Sequence, residues 1–202
     1  RIWRDIGERI SHVVVMGTGE PLDNYDNLLK FIRLISDEHG LNISQRNLTV
    51  STCGIVPNMI RLAGEGLQIT LAISLHASSQ EKRLALMPIA NKYEIHELLD
   101  ACKEYFAQTG RRITFEYRLV GGVNEPAQDA RRLAGLIRGL NCHVNLIPVN
   151  PIEEGSYVQP DTKTVMDFKD RLEKLGITVT VRREMGRDID GACGQLRRHQ
   201  IL

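Results

Sequence analysis

The sequence predicts an α/β domain built as a barrel-like sheet of parallel strands with connecting helices. Three observations predict it. Short segments rich in β-branched and apolar residues recur roughly every 20–40 residues, the spacing of right-handed βα units. Helix-periodic segments separate them. Polar residues gather just after the C-terminal ends of many strands, at Gly17–Glu20, Ser51-Thr-Cys-Gly, Ser74-Leu-His and Asn150-Pro, where parallel α/β sheets carry their chemistry. An open doubly wound sheet also accommodates six strands, but four polar clusters in register favour the barrel-like form.

In chain order, Arg1–Arg9 reads as an amphipathic helix. Strands are predicted at His12–Met16, Asn47–Ser51, Ile69–His76, Ile113–Leu119, Val144–Val149 and Ile177–Val181. Runs such as Val13-Val-Val-Met and Leu71-Ala-Ile predict strands covered on both faces. A helix near Asn24–Glu38 precedes Gly40. In Glu94–Gln108 the residues Ile95, Leu98, Leu99, Cys102, Tyr105 and Phe106 fall on one stripe. Pro160 and Asp161 open a last helix with Val165, Phe168, Leu172 and Leu175 as its stripe, and Gly176 ends it.

Composition bounds the function. At 202 residues the chain is long enough to bury a core without cross-links. Lys plus Arg number 26 against 25 for Asp plus Glu, so neither charge-driven disorder nor a uniformly basic nucleic-acid coat fits. No apolar run approaches the roughly 18 residues of a membrane span. The 4 cysteines, Cys53, Cys102, Cys142 and Cys193, are scattered, with no local metal-ligand pair, which suggests reduced cytoplasmic thiols.

Gly17-Thr-Gly-Glu20 follows the first strand. Its glycines let the backbone approach a ligand closely, and Glu20 beside them suits an ammonium group; on spacing alone a tight βα turn is the better explanation. Position 22 is Leu where a dinucleotide fingerprint needs glycine. The hydroxyls of Ser51 and Ser74 suit a ribose or carboxylate, or bond their own turns. His76 reads as a structural histidine. Glu116 either pairs with Arg118 or points into a polar interior. Cys102 belongs to a core stripe. Cys193 lies in a glycine-flanked loop among Arg182, Arg183, Arg187, Arg197 and Arg198, a setting for a thiolate or for an incidental solvated thiol.

Together, Met16-Gly-Thr-Gly-Glu-Pro-Leu22, Thr49-Val-Ser-Thr52, Ala72-Ile-Ser-Leu-His-Ala77, Phe115-Glu-Tyr117, Asn145-Leu-Ile-Pro-Val-Asn-Pro151 and Asp188–Leu196 run in the order seen in radical S-adenosylmethionine (SAM) adenine methyltransferases. The chain resembles this family almost end to end, and most closely the branch that methylates C2 of an adenosine in 23S rRNA and tRNA. The resemblance implies a partial, open (β/α) barrel of the radical SAM type, with residues 1–202 forming one core domain. It places SAM against Gly19, Glu20, Ser51, Ser74, Leu75, His76 and Asn150, with Glu20 facing the ammonium group. Cys193 corresponds to the catalytic cysteine that carries the methyl group as S-methylcysteine. In the family, one SAM methylates that thiolate. A second, cleaved reductively at a 4Fe-4S cluster, yields the radical that turns the S-methyl group into a carbon radical able to add to C2 of adenine.

The family's CxxxCxxC cluster motif is absent from this sequence. The expectation is therefore an N-terminally truncated fragment. The first barrel strand, cluster loop, resolving cysteine, proton acceptor and RNA-binding domain would all precede Arg1, and the fragment itself would be inactive and hold no cluster. The resemblance further implies 23S rRNA and tRNA as partners, an electron donor such as flavodoxin or ferredoxin, a monomeric state and a cytoplasmic, non-membrane location. Arg111, Arg112, Arg118 and the C-terminal arginines are candidate phosphate contacts. The alternatives are the sister activity at C8 of adenine, a non-catalytic RNA-binding barrel, and a metabolic barrel enzyme that binds phosphate through its glycine-rich loop.

Overall fold

Six parallel strands lie in one sheet in the order of the chain: β1 (Val13–Val15), β2 (Leu48–Thr52), β3 (Thr70–Ser74), β4 (Ile113–Leu119), β5 (Cys142–Pro148) and β6 (Thr178–Val181). The computed structural model describes residue 5, residues 7–149 and residues 157–182. The helices are α1 (Tyr25–Ser36), α2 (Val56–Ala63), α3 (Gln80–Leu86), α4 (Ile95–Thr109), α5 (Ala127–Leu136) and α6 (Thr162–Lys174). Short 3-10 turns lie at Gln45–Asn47 and Pro88–Asn91.

Sequential strand order has a direct consequence. Right-handed crossovers that always step in the same direction put every connecting helix on the same side of the sheet. A doubly wound sheet, whose order reverses, puts helices on both sides; that alternative is excluded. Burial alternates accordingly. In β4, Ile113, Phe115, Tyr117 and Leu119 are fully buried beneath the helices, while Thr114 and Arg118 on the other face are partly exposed. In β5, Val144 and Leu146 are buried and His143, Asn145 and Ile147 are only partly so. Val14 in β1 is 56% exposed. The expectation of strands covered on both faces holds in β3, where Leu71, Ala72 and Ile73 are all buried, and is corrected at β1, where Val14 faces outward from the sheet's other side. The tripeptide Val13-Val-Val hides the two-residue period because all three residues are apolar.

The same sheet curves enough to bring its two ends together. Arg182, just past β6, places Nη1 3.5 Å from the sulfur of Met16, just past β1, across 166 residues of sequence. The result is the partial, open barrel that the sequence predicts, its concave face polar and its convex face helix-covered.

Local sequence accounts for the elements that frame the mouth. Asp161 caps α6, its carboxylate accepting from Thr164 N, and Ser79 caps α3 in the same way through Lys82 N. Gly110 ends α4 in the left-handed conformation at φ +63°. Val165, Phe168 and Leu172 pack inward from α6, and the Phe168 ring stacks on Tyr117 of β4 at 5.4 Å. Leu175, expected on that stripe, is 46% exposed because it is the helix cap and its carbonyl end has already left the inward face. Helices α2, α3 and α5 are additions to the sequence reading. The N-terminal helix reading falls largely on residues 1–4 and 6, outside the described residues, and Gly7–Arg9 are not helical.

Candidate functional site

The first group of site residues sits where β1 and β2 end. Gly17 and Gly19 adopt φ +119° and +84°, which L side chains rarely reach, and a Cβ at either would meet nothing within 4 Å. The turn is therefore open at its surface and demands glycine for its backbone. It delivers Glu20 to the end of β2. There, Oε1 accepts from Thr52 Oγ1 at 2.7 Å and from Leu22 N at 3.0 Å, and Oε2 accepts from Cys53 N at 2.8 Å. A carboxylate offers about four lone-pair directions, so three donors fix its orientation. Thr52 Oγ1 in turn accepts from Gly54 N, and Gly54 passes so close to α4 that an added Cβ would stand 2.6 Å from Leu98 Cδ1.

A second group lies on the concave face. Strand register places Ser74 beside Glu116, and Glu116 beside Asn145. Ser51 donates to Glu116 Oε2 at 2.8 Å, and Ser74 donates to the same oxygen at 3.4 Å. Glu116 is only 5% exposed. It thus takes the second of the two arrangements considered for it, a polar interior, and the pair with Arg118 is not formed among the described residues. Asn145 continues the stripe to β6, accepting from Thr180 Oγ1 at 3.2 Å.

His76 forms a third group with φ +59°, uncommon for a residue with a side chain. Its Nδ1 accepts from Arg118 N at 3.0 Å, which assigns the remaining ring hydrogen to Nε2. Burial, reinforced by the Arg118 and Arg83 guanidinium groups, pushes its pKa down to about 3, so the imidazole is neutral at physiological pH. It is a structural bridge between the ends of β3 and β4. Asn124, fully buried, completes that bridge by donating from Nδ2 to the carbonyls of His76 and Arg118 while its Oδ1 accepts from Val120 N. Of the sequence-predicted residues, Leu75 turns its side chain into the core, so only its backbone can face a ligand. Gly19, Glu20, Ser51, Ser74 and His76 lie at or near the C-terminal ends of their strands in the groups described above, whereas Asn150 and Cys193 lie outside the described residues.

The described cysteines are poor nucleophiles. Burial, then the adjacent Glu20 carboxylate, pushes the Cys53 thiol up to about 12. Burial, then the neighbouring Cys142, drives Cys102 to about 12, and burial raises Cys142 to about 11. Cys102 is fully buried in α4, as its stripe predicts. Among the described residues no three of His, Cys, Asp and Glu stand together as a metal site. A 4Fe-4S cluster therefore has no ligand set among the described residues.

Sequence reasoning missed Asn124 and Arg83. Fully buried, Arg83 holds the strand-end loop by donating to the carbonyls of Cys53 and Tyr93, both at 3.0 Å, while its Nε finds no partner among the described residues. Neither role has a local signal, since each depends on which loops the fold brings together. A cleft of about 420 Å³ opens elsewhere, between α4 and α5, lined by residues such as His96, Lys103 and Arg132. The strand-end groups do not line it.

Comparison with known proteins places this geometry. The model of the radical SAM superfamily matches residues 1–137. The chain is 64% identical, over 98% of its length, to the "Probable dual-specificity RNA methyltransferase RlmN" of Lachnospira eligens. It is 61% identical, over 97% of its length, to the protein of the same name in Clostridium botulinum strain Alaska E43. It covers 56% of each, so it spans little more than half the length of the curated relatives it matches. Among solved structures, a radical SAM methyltransferase from Sphaerobacter thermophilus superposes with a TM-score of 0.91 at 45% identity, covering 95% of this chain and 56% of that one. A domain of pyruvate-formate lyase-activating enzyme from Bacteroides vulgatus gives 0.64 at 17% identity, over 86% of this chain and all of that one, a likeness of fold alone.

Proposed function

The chain belongs to the radical SAM superfamily, and from that membership we propose that the whole protein methylates C2 of an adenosine in 23S rRNA and tRNA. In this reading residues 1–202 are the core domain, Cys193 is the methyl carrier, and SAM binds at the strand ends. The observation that carries it is the strand-end geometry: a glycine turn with no Cβ in the way, an oriented Glu20, and a cluster of acceptors behind it.

These residues suit the cofactor. The oriented Glu20 carboxylate suits an ammonium group, Gly19 lets the backbone come close, and Ser51 and Ser74 present oxygen to the middle of the molecule. The His76 ring holds β3 to β4 so that the Ser74-Leu75-His76 turn keeps its shape, and the Leu75 backbone and Asn150 complete the contact set. The cofactor supplies the methyl group and the one-electron chemistry that an electron-poor ring carbon without an acidic proton requires. In the same reading the family's 4Fe-4S cluster is held by residues other than those described, a flavodoxin or ferredoxin supplies electrons, and the protein works as a cytoplasmic monomer. Among the described residues no helix is long and apolar enough to cross a membrane.

The test is mass spectrometry of RNA modified by the whole protein. The expected product is 2-methyladenosine, lost on Cys193→Ala. An 8-methyladenosine product would replace this reading with the sister activity. Methylation that survives Cys193→Ala would remove the carrier role.

A further inference from the structure

The helices on the convex face do not form a closed layer. Helix α4 packs against α2, and α5 against α6, whereas α4 and α5 barely meet. The cleft of about 420 Å³ lies between these last two. Its floor is apolar, with Leu99 buried and Leu136 half-buried. One wall carries no side chain: at Gly135 an added Cβ would meet nothing within 4 Å, so the space stays open at the expense of a weaker helix. The rim is cationic, with Lys103 and Arg132 against Asp100 alone and His96 beside them. Lys103 bonds Asp100 at 2.7 Å, but both side chains are more than half exposed. Such a pair is weak, and its lysine is free to turn to a better anion.

Helix α5 supplies the excess charge. Its only acid, Asp129, is buried and neutralised by Lys82 at 2.7 Å. Glu125, just ahead of the helix, accepts from Gly122 N. Arg131 and Arg132, and Arg138 in the turn that follows, are exposed, and none takes part in an ion pair among the described residues. Helix α6 is the contrast. There Lys163, Lys169, Arg171 and Lys174 are interleaved with Asp167, Asp170 and Glu173, and Lys169 bonds Glu173 at 2.7 Å. In a chain whose formal charge is only +1, α5 is a local surplus of the kind a polyanion requires. Arginine, rather than lysine, also suits phosphate, because its planar fork donates two parallel hydrogen bonds to one group.

The geometry points to an RNA-docking surface on this helical side of the sheet. The sugar–phosphate backbone of the RNA, away from the target base, lies along the α4–α5 cleft, with a ribose over Leu99 and Leu136 and a phosphate on Arg132. Arg131 and Arg138 extend the contact along α5. The inference rests on the reading that the whole protein acts on RNA, and it adds a surface separate from the strand ends where the cofactor is placed. Contacts of this kind carry no base information; they fix the register of the nucleic acid on the protein.

The experiment is equilibrium binding of a tRNA transcript to the whole protein across a salt series, with SAM affinity and melting temperature as separate readouts. Counterion release makes log K fall linearly with log salt, by roughly one in slope for each phosphate neutralised. Arg132→Gln should lower that slope by about one and weaken binding at about 0.1 M salt by about fivefold or more. Arg131→Gln, Arg132→Gln and Arg138→Gln combined should lower it further. SAM affinity and melting temperature should not move, because these side chains are exposed and lie away from the strand ends. Arg132→Lys keeps the charge without the fork, so it should keep the slope and recover only part of the affinity. Lys163→Gln with Lys174→Gln removes charge from α6 instead and should leave the slope as it is. An unchanged slope in the triple variant overturns the proposal. So does an equal fall in the α6 variant, which would make the effect one of net charge. A triple variant that keeps its RNA slope but loses affinity for an acidic protein such as flavodoxin gives the surface to a protein partner and also overturns it. A wild type that binds SAM but no tRNA overturns the RNA reading itself, and the docking surface falls with it.

Discussion

The two faces of this sheet are made by alternate residues of the same strands, and they do opposite work. The convex face is Leu71, Ile73, Phe115, Tyr117, Val144 and Leu146, buried beneath helices. The concave face is Ser51, Ser74, Glu116, Asn145 and Thr180, joined by hydrogen bonds that cross from strand to strand. Apolar burial is nondirectional and accumulates with area, whereas each polar contact gains little net and costs much when left unmatched. Stability is therefore drawn from the outer face, and the inner face is free to be arranged for a ligand.

Substitution at paired positions tests that division most strongly. Phe115→Ala should cost about 3–5 kcal/mol of unfolding free energy in a denaturant titration, the range for emptying a buried aromatic site. Val14→Ser, on the exposed face of β1, should stay within about 0.5 kcal/mol. Equal losses at the two positions would break the comparison.

A smaller effect is expected where the faces meet. Gly54 combines φ +97° with a side chain of α4 pressed against it, so Gly54→Ala faces both a strained backbone and a Cβ 2.6 Å from Leu98. The expected loss is about 1–3 kcal/mol, read from thermal melts. Leu98→Ala in the same background should relieve the contact but not the backbone strain, giving less than the sum of the two single losses.

The last effect is one of pH, and it builds only in acid. His76 is held neutral in the fold by burial, its pKa pushed from the ordinary 6.5 down to about 3. Between these values the unfolded chain takes up a proton that the folded chain refuses. Stability from this group is full above about 6.5 and is lost as the pH falls toward 3, with a slope of up to about 1.4 kcal/mol per pH unit. His76→Asn, a residue that tolerates positive φ, should flatten the acid limb of stability against pH. An unchanged limb would show that His76 titrates normally.

These contrasts also mark what could be read from the chain alone. Ile113–Leu119 is predicted to the residue, because Ile, Phe, Tyr and Leu alternate with Thr, Glu and Arg and declare a strand with one covered face. The Val13–Val15 run carries no such alternation, so its open side was invisible. Helix α2 starts on Ile55-Val56-Pro57 and lasts only 8 residues, so its stripe of Val56, Met59, Leu62 and Ala63 is short and easily overlooked. In the site, Glu20 and the glycines are legible because they are adjacent in sequence. The Ser51–Glu116 contact spans 65 residues and depends on register set by an intervening strand, which no local pattern encodes.

Strand order equal to chain order allows the sheet to assemble in the order in which the chain is made. Each new strand docks beside the one made just before it, so every step closes a short loop and the sheet grows from one edge to the other. The polar contacts then form on a schedule. Glu20 meets Thr52 once the second strand is in place, Ser51 waits for the fourth, and Arg182 reaches Met16 only after the sixth. A chain halted partway through synthesis would already own a folded, helix-backed sheet while still lacking a complete floor. The polar floor of the concave face is completed last, after most of the helix-covered face is already in place.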